Sequence, residues 1–352
     1  MITDIRPFSQ QLSNPKFDNP KDLVAWMGAI QAQDYNMSKW AVGIRLKSGN
    51  IPDIEDALKK GEILRTHVMR PTWHLVTAED IRWMLKLSAG RARSAIQSYS
   101  KSRGISEDTH IKCNSLIEKI LEGNKSLTKQ EIGEKLIQTG IIPNMEGMNH
   151  VMFRAEADGI ICSGVDKNKK ATYALLEERV PPAKELHRED ALAKLARNYF
   201  RSHSPASLQD FAWWSGLPIT EARQAINSIS PELVADKFAA ENLLVHESYN
   251  NAIQPGEGLF FLPSYDEYLI SYKDRTSVLD PEHHPKAFSN NGIFHPVIMY
   301  KGKIVGNWRK SIKNGELNFE TSFFDSKLNI NKNLLFEAEN RYRDFLLKIN
   351  KK

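Results

Sequence analysis

The sequence predicts an α+β fold of three tandem winged helix-turn-helix units, a small C-terminal β-barrel-like domain and a terminal helix. Three observations lead there. Helical periodicity followed by a pair of short strands occurs three times before about residue 250. From about residue 251, Gly and Pro punctuate short runs rich in Phe, Tyr, Ile and Val, the pattern of strands in a small barrel or sandwich. Residues 334–349 then return to helical periodicity. A chain of 352 residues is long for one domain, and the boundaries fall at 1–104, 105–180, 181–250 and 251–352.

The first unit opens with a helix over 21–33, where Leu23, Trp26, Met27 and Ile30 recur at helical spacing after the Asn19-Pro20 start signal. Helices over 38–46 and 52–60 follow, the latter stopped by Gly61. Strands at 63–68 and 72–76 flank Arg70-Pro71, and helix resumes from Ala78. From Arg82 to Arg103 there are six basic residues and no acid, which points to a phosphate-facing surface; a solvated helix face is the plainer alternative. The second unit comprises a helix over 127–138, a turn at 140–143, a helix over 146–158 and a hairpin over 160–175 with lysines at its tip. Val180-Pro181-Pro182 marks the next boundary. The third unit has helices over 189–201, 207–215 and 220–228, the last capped by Thr220, and wing strands at 233–238 and 243–247.

Composition narrows the function. With 41% hydrophobic and 26% charged residues the chain is globular, not disordered. No stretch approaches the roughly 18 apolar residues of a membrane helix, and the first residues do not read as a secretory signal. Cys113 and Cys162 form no CxxC, so neither a thiolate zinc site nor a disulfide framework is expected, and a reducing cytoplasm is the natural location. The net charge of +5 permits nucleic-acid binding without requiring it. The cluster Asp280, Glu282, His283, His284 lacks the spacing of a metal site, and there is no Walker motif or dinucleotide fingerprint. No metal and no cofactor are expected.

Four segments carry more. They are Gly28-Ala29-Ile30-Gln31-Ala32-Gln33-Asp34, Arg65 to Val76 (RTHVMRPTWHLV), Asp210 to Leu217 (DFAWWSGL) and Leu262 to Leu269 (LPSYDEYL). A fifth runs from Gly292-Ile293-Phe294-His295-Pro296 to Gly306-Asn307-Trp308-Arg309. In order and spacing they resemble the bacterial winged-helix DNA glycosylases of the AlkZ and YcaQ type, over nearly the whole chain. The resemblance implies tandem winged helices forming a concave DNA surface. It implies hydrolysis of the N-glycosidic bond of N7-alkylated purines, including the linked guanines of an interstrand crosslink, by a monomer acting on double-stranded DNA. The family's catalytic motif is a glutamine, an apolar residue, then a glutamine or an acid, which here falls on Gln31 and Gln33.

Two amides suit such a substrate. An N7-alkylguanine is cationic and leaves neutral, so no strong general acid is needed. What remains is to position a water and to favour an oxocarbenium-like centre, and amide carbonyls can do both. On a helix, however, residues i and i+2 diverge, whereas Gln31 and Asp34 would share a face. The plain alternative is that these polar residues cap a helix end.

The expected DNA-contacting set is Arg65, His67, Arg70, Trp73, Arg91, Arg93, Lys169, Asp266 and Arg309. Arginines and Lys169 would meet phosphates, and Trp73 or His67 would support the disrupted nucleotide. The alternative for 65–76 is a wing with a buried Trp. Asp266 and Glu267 could form a catalytic carboxylate pair, but adjacent acids in a strand face opposite ways, and one of them, Asp266, is the expected ordering residue near the groove. Trp213-Trp214 reads as core. The competing function is a non-catalytic winged-helix regulator or architectural factor, and a protein-interaction scaffold is a third reading. The 146–158 helix mixes Arg154 with Glu146, Glu156 and Asp158, a poor base-reading surface.

Overall fold

A computed structural model of the protein describes residues 2–70, 72–101, 103–183, 185–235, 243–249 and 258–347. The chain forms two compact units, one of Met1–Glu55 with Leu192–Lys352, the other of Asp56–Ala191.

In chain order, the first unit begins with α1 (Ile2–Ser9), α2 (Pro20–Met27), the short strand β1 (Ile30–Gln31) and α3 (Tyr35–Gly43); α4 (Ile51–Lys60) follows. The Asn19 side chain caps α2 by accepting from the Asp22 N–H at 2.8 Å, with Pro20 in the first turn. Gly28 ends it at φ +77°, a conformation that side chains rarely adopt, and a Cβ there would lie 3.1 Å from Asn198 Cβ. The helix expected to reach residue 33 therefore stops at Met27, and the chain continues extended.

The second unit contains β2 (Ile63–Val68), β3 (Thr72–Thr77), α5 (Ala78–Lys101), α6 (Glu107–Leu121), α7 (Lys129–Gln138), α8 (Met148–Ala157), β4 (Ile161–Ser163), β5 (Tyr173–Leu175) and α9 (Leu176–Arg179). β2 and β3 pair antiparallel, with His67 opposite Trp73. Thr128 and Glu131 form a reciprocal capping box that starts α7. Cys113, Ile117, Leu121, Ile132, Leu136, Val151, Met152 and Ile161 build a core beneath the β4–β5 hairpin. At that hairpin's tip Asn168 and Lys169 both have positive φ, and Lys167 and Lys170 exchange two backbone hydrogen bonds, a two-residue loop of the primed type.

The remaining elements belong to the first unit apart from the opening residues of α10. They are α10 (Arg188–His203), α11 (Leu208–Ser215), α12 (Ile219–Ser228), β6 (Leu233–Ala235), β7 (Leu244–His246), β8 (Leu259–Leu262), α13 (Glu267–Ile270), α14 (His284–Ala287), β9 (Val297–Tyr300), β10 (Lys303–Lys313), β11 (Glu316–Phe323) and α15 (Lys332–Leu346). Ser207 caps α11, whereas Pro218, not Thr220, occupies the cap position of α12. The expected wing strands survive as the antiparallel pair β6–β7; residues 236–242 between them lie outside the described residues.

The C-terminal region corrects one expectation. Its strands form an open antiparallel sheet in the order β11-β10-β9-β8, not a barrel. Four strands are too few to curl closed around a filled interior. Helix α15 packs on it instead, with Tyr342 against Trp308 and Phe319 of the sheet, while Trp40 of α3 meets Tyr342 and Phe345, and Trp308 stacks on Phe261. The indoles of Trp40 and Trp308 donate to the carbonyls of Phe261 and Leu262, each at 2.7 Å.

Candidate active site and nucleic-acid interface

In the first unit, Ala29, Ile30 and Ala32 are fully or almost fully buried, and Gln31 is 3% exposed. Gln33 is exposed, where the chain bends towards α3. Only Ile30–Gln31 is strand and the chain bends at Gln33, so the helical geometry that would set residues i and i+2 apart is not the one present here. Nor are the glutamines the helix cap. That task falls to Asp34, whose Oδ1 accepts from the Met37 N–H at 3.0 Å. The small middle residue, Ala32, is fully buried.

A second segment, Ser264 to Glu267, grips the first at two points. Ser264 Oγ donates to Asp34 Oδ2 at 3.2 Å, and the Gln31 N–H donates to Glu267 Oε1 at 2.5 Å. Between them Tyr265 sits at φ +57°, a strained backbone for a tyrosine. The neighbouring acids divide. Asp266 is buried, caps α13 through the Tyr268 N–H at 2.9 Å, and takes Arg45 Nη1 and Nη2 at 2.9 and 2.8 Å. Arg45, fully buried, also donates to Gln10 Oε1 at 3.0 Å. Asp266 is thus held by Arg45 inside the fold, where it orders the turn into α13.

Glu267, fully buried, accepts on Oε2 from the Trp214 indole at 3.2 Å and from Ser271 Oγ, with His203 Nε2 at 3.5 Å. Burial lowers the His203 pKa below the ordinary histidine value despite that carboxylate. Trp214 is core, as expected, whereas Trp213 is 39% exposed and donates to Ile270 O. The Tyr-Asp-Glu-Tyr segment is legible in the sequence, but the bond from Glu267 to the Gln31 backbone is not. Glu267 was adjacent to the chosen acid; Arg45 and His203 carried no signal, lying far along the chain.

In the second unit, Arg65, His67 and Trp73 come together on the β2–β3 hairpin. The Arg65 guanidinium lies 4.1 Å from the Trp73 ring centre, and the His67 ring 4.4 Å from it on a tilted stack. His67 also packs on Phe153 of α8, and its Nδ1 is 2.5 Å from the buried Glu156 carboxylate. Arg70 is half-buried at the hairpin turn.

The acid-free stretch of α5 and its flank is balanced in space. Arg82 pairs with Glu177, Lys86 with Glu185, Arg93 with Asp158 at 2.6 Å, and Arg103 with Glu146. Arg91 is half-buried, and Lys169 is exposed at the hairpin tip. Arg154 of α8 is 7% exposed, bonded to Glu107 and Asp158, which keep its pKa raised. In the first unit Arg309 is 81% exposed on β10, opposite Glu320.

Among the described residues no three His, Cys, Asp or Glu side chains gather as a metal site, and no helix is long and apolar enough to cross a membrane.

The sequence and fold have known counterparts. An interstrand DNA cross-link repair glycosylase of Streptomyces sahachiroi is 23% identical over 318 residues, covering 86% of this chain and 84% of that protein. The solved structure of the Streptomyces sahachiroi DNA glycosylase AlkZ superposes with a TM-score of 0.81 at 19% identity, covering 98% of this chain and 95% of that one. The family model described as DNA glycosylase AlkZ-like matches residues 24–328. The chain therefore belongs to the AlkZ-like DNA glycosylase family.

Proposed function

We propose that this protein is a monofunctional DNA N-glycosylase for N7-alkylated, cationic purines in double-stranded DNA, and that it acts as a monomer. Its proposed substrates include the joined guanines of an interstrand crosslink, in keeping with the name of its Streptomyces relative. In this reading the three helix-and-hairpin successions are winged helices and the boundaries at 104, 180 and 250 separate working modules.

The observation that carries the reading is the state of the carboxylates around the Gln-Ala-Gln segment. Asp34 caps α3, Asp266 is held by Arg45, and Glu267 is turned onto the Gln31 backbone. Their oxygens are engaged in the fold, and we assign the reacting role to the amides of Gln31 and Gln33 on the match to the family's motif. Amides are poor bases, so they suit a bond already weakened by charge on the base. They would hold a water at the anomeric carbon, and their carbonyl dipoles would favour the positive centre that forms there. Arg65, Arg70, Arg91, Arg93, Lys169 and Arg309 are the proposed phosphate contacts, with Trp73 and His67 beside the disrupted nucleotide. The regulator alternative asks for base-reading side chains on α8, and its arginine is already bonded to Glu107 and Asp158.

The test is incubation of the pure protein with a duplex containing N7-methylguanine. The expected products are free N7-methylguanine and an intact strand with an abasic site. Borohydride should trap no protein–DNA adduct, since water is the nucleophile. Failure to release the base, or a trapped Schiff base, contradicts the reading.

A further inference from the structure

We propose that Glu267 is the positioning residue of the catalytic strand, acting through the Gln31 backbone and not on the substrate; this rests on the glutamines being the reacting groups. One hold on the strand comes from a distant side chain. Gly28, Ala29 and Ala32 offer no long side chains, and the helix before it has ended. The Gln31 N–H finds its acceptor in a side chain 236 residues further along the chain. That acceptor is fixed in turn. The Trp214 indole and Ser271 hydroxyl both donate to its second oxygen, and the His203 ring, stacked on Tyr199 at 4.8 Å, stands behind it.

The chemistry explains why an acid is kept there. A buried carboxylate is costly, and an apolar side chain of similar volume would generally fill such a site at lower cost. A carboxylate, however, offers two oxygens that only accept. One can take a main-chain N–H while the other takes an indole and a hydroxyl. Glutamine at 267 would turn an NH₂ towards one of those donors, and an apolar residue would leave the Gln31 N–H bare. The neighbouring Ser264–Asp34 bond holds the far end of the segment, so Glu267 sets the end that bears Gln31. A shift of about 1 Å in a reacting group is enough to lose about a hundredfold in rate.

Glu267→Gln is the test, read in three ways. Single-turnover release of N7-methylguanine should fall about a hundredfold, while affinity for the duplex stays within about threefold of the parent protein. Amide hydrogen exchange of the 28–33 segment should quicken at Gln31. Ser271→Ala, which removes one donor from the far oxygen, should leave excision within about tenfold. If Glu267→Gln does not fold, Glu267→Asp replaces it, because the shorter acid keeps its charge but withdraws from Gln31; the same rate loss and faster exchange are expected.

A purely structural role would lower melting temperature, binding and rate together, in step with the folded fraction, and would overturn the proposal. So would unchanged exchange at Gln31. If the parent protein itself releases no base, the glycosylase reading fails, and the exchange data alone still decide whether Glu267 holds the strand.

Discussion

At the scale of single residues, the acids near the glutamines are spent on structure, and this has a measurable consequence. Arg45 and Asp266 are both buried and joined by two hydrogen bonds. Removing one partner leaves the other charge uncompensated, which costs about 3–5 kcal/mol in comparable sites. Asp266→Asn should therefore lower stability by about that amount, measured by denaturant melting, whereas a residue that touches DNA would lower affinity with little change in stability. The glutamines stand out in the sequence because their spacing matches a known motif. The division of labour between Asp266 and Glu267 does not, because it depends on Arg45 and Gln31, each more than two hundred residues away. The acids lie not in the expected strand but at the cap and first residue of α13, and nothing in the sequence says which of the two meets the Gln31 backbone.

At the scale of elements, local signals were read well where chemistry is local. β2 was placed residue for residue, as its β-branched run and the Arg70-Pro71 turn allow. The helices expected over 127–138 and 207–215 are present as α7 and α11, the first starting two residues later behind Thr128. The end of α2 was missed because Met27 and Ile30 continue a helical spacing across Gly28, and only the positive φ and the close approach of Asn198 make that glycine a stop. The charge of α5 is only half visible in the sequence. A sequence shows an acid-free run, but Glu177, Glu185 and Asp158 meet it from other elements. The element still makes a test. Asp158 retains Arg154 and Asn114 when Arg93 is removed, so Arg91→Ala/Arg93→Ala should fold normally. Weaker duplex binding, and a log–log salt slope shallower by about 1 for each phosphate no longer neutralised, is the expected result. Unchanged affinity and slope would show that these arginines serve only ion pairs within their own unit.

At the scale of the whole molecule, the alternation of helices and hairpins is visible in the sequence, while the open form of the C-terminal sheet is not. Short apolar runs between glycines read alike whether a sheet closes or is covered by a helix, and α15 supplies the cover here. Burial also sets the response to acid. It lowers the pKa of His203 and His110 below the ordinary value near 6.5. Groups whose folded pKa is depressed give their full stabilisation above the unfolded value and lose it as pH falls from there towards the folded value. The melting temperature should therefore drop between about pH 7.5 and about pH 5.5; a flat or rising profile would contradict this.

The central claim is that Gln31 and Gln33 together perform base excision. Single-turnover release of N7-methylguanine by Gln31→Ala, Gln33→Ala, Gln33→Asp and the double alanine variant, each with its melting curve, tests it most directly. Either alanine should cost on the order of 10²–10³ in rate with stability and duplex affinity retained, since a positioned, transition-state-directed hydrogen bond is lost. Gln33→Asp should keep measurable activity. Full activity in a well-folded Gln31→Ala/Gln33→Ala protein would contradict the account and make Asp34 the next candidate.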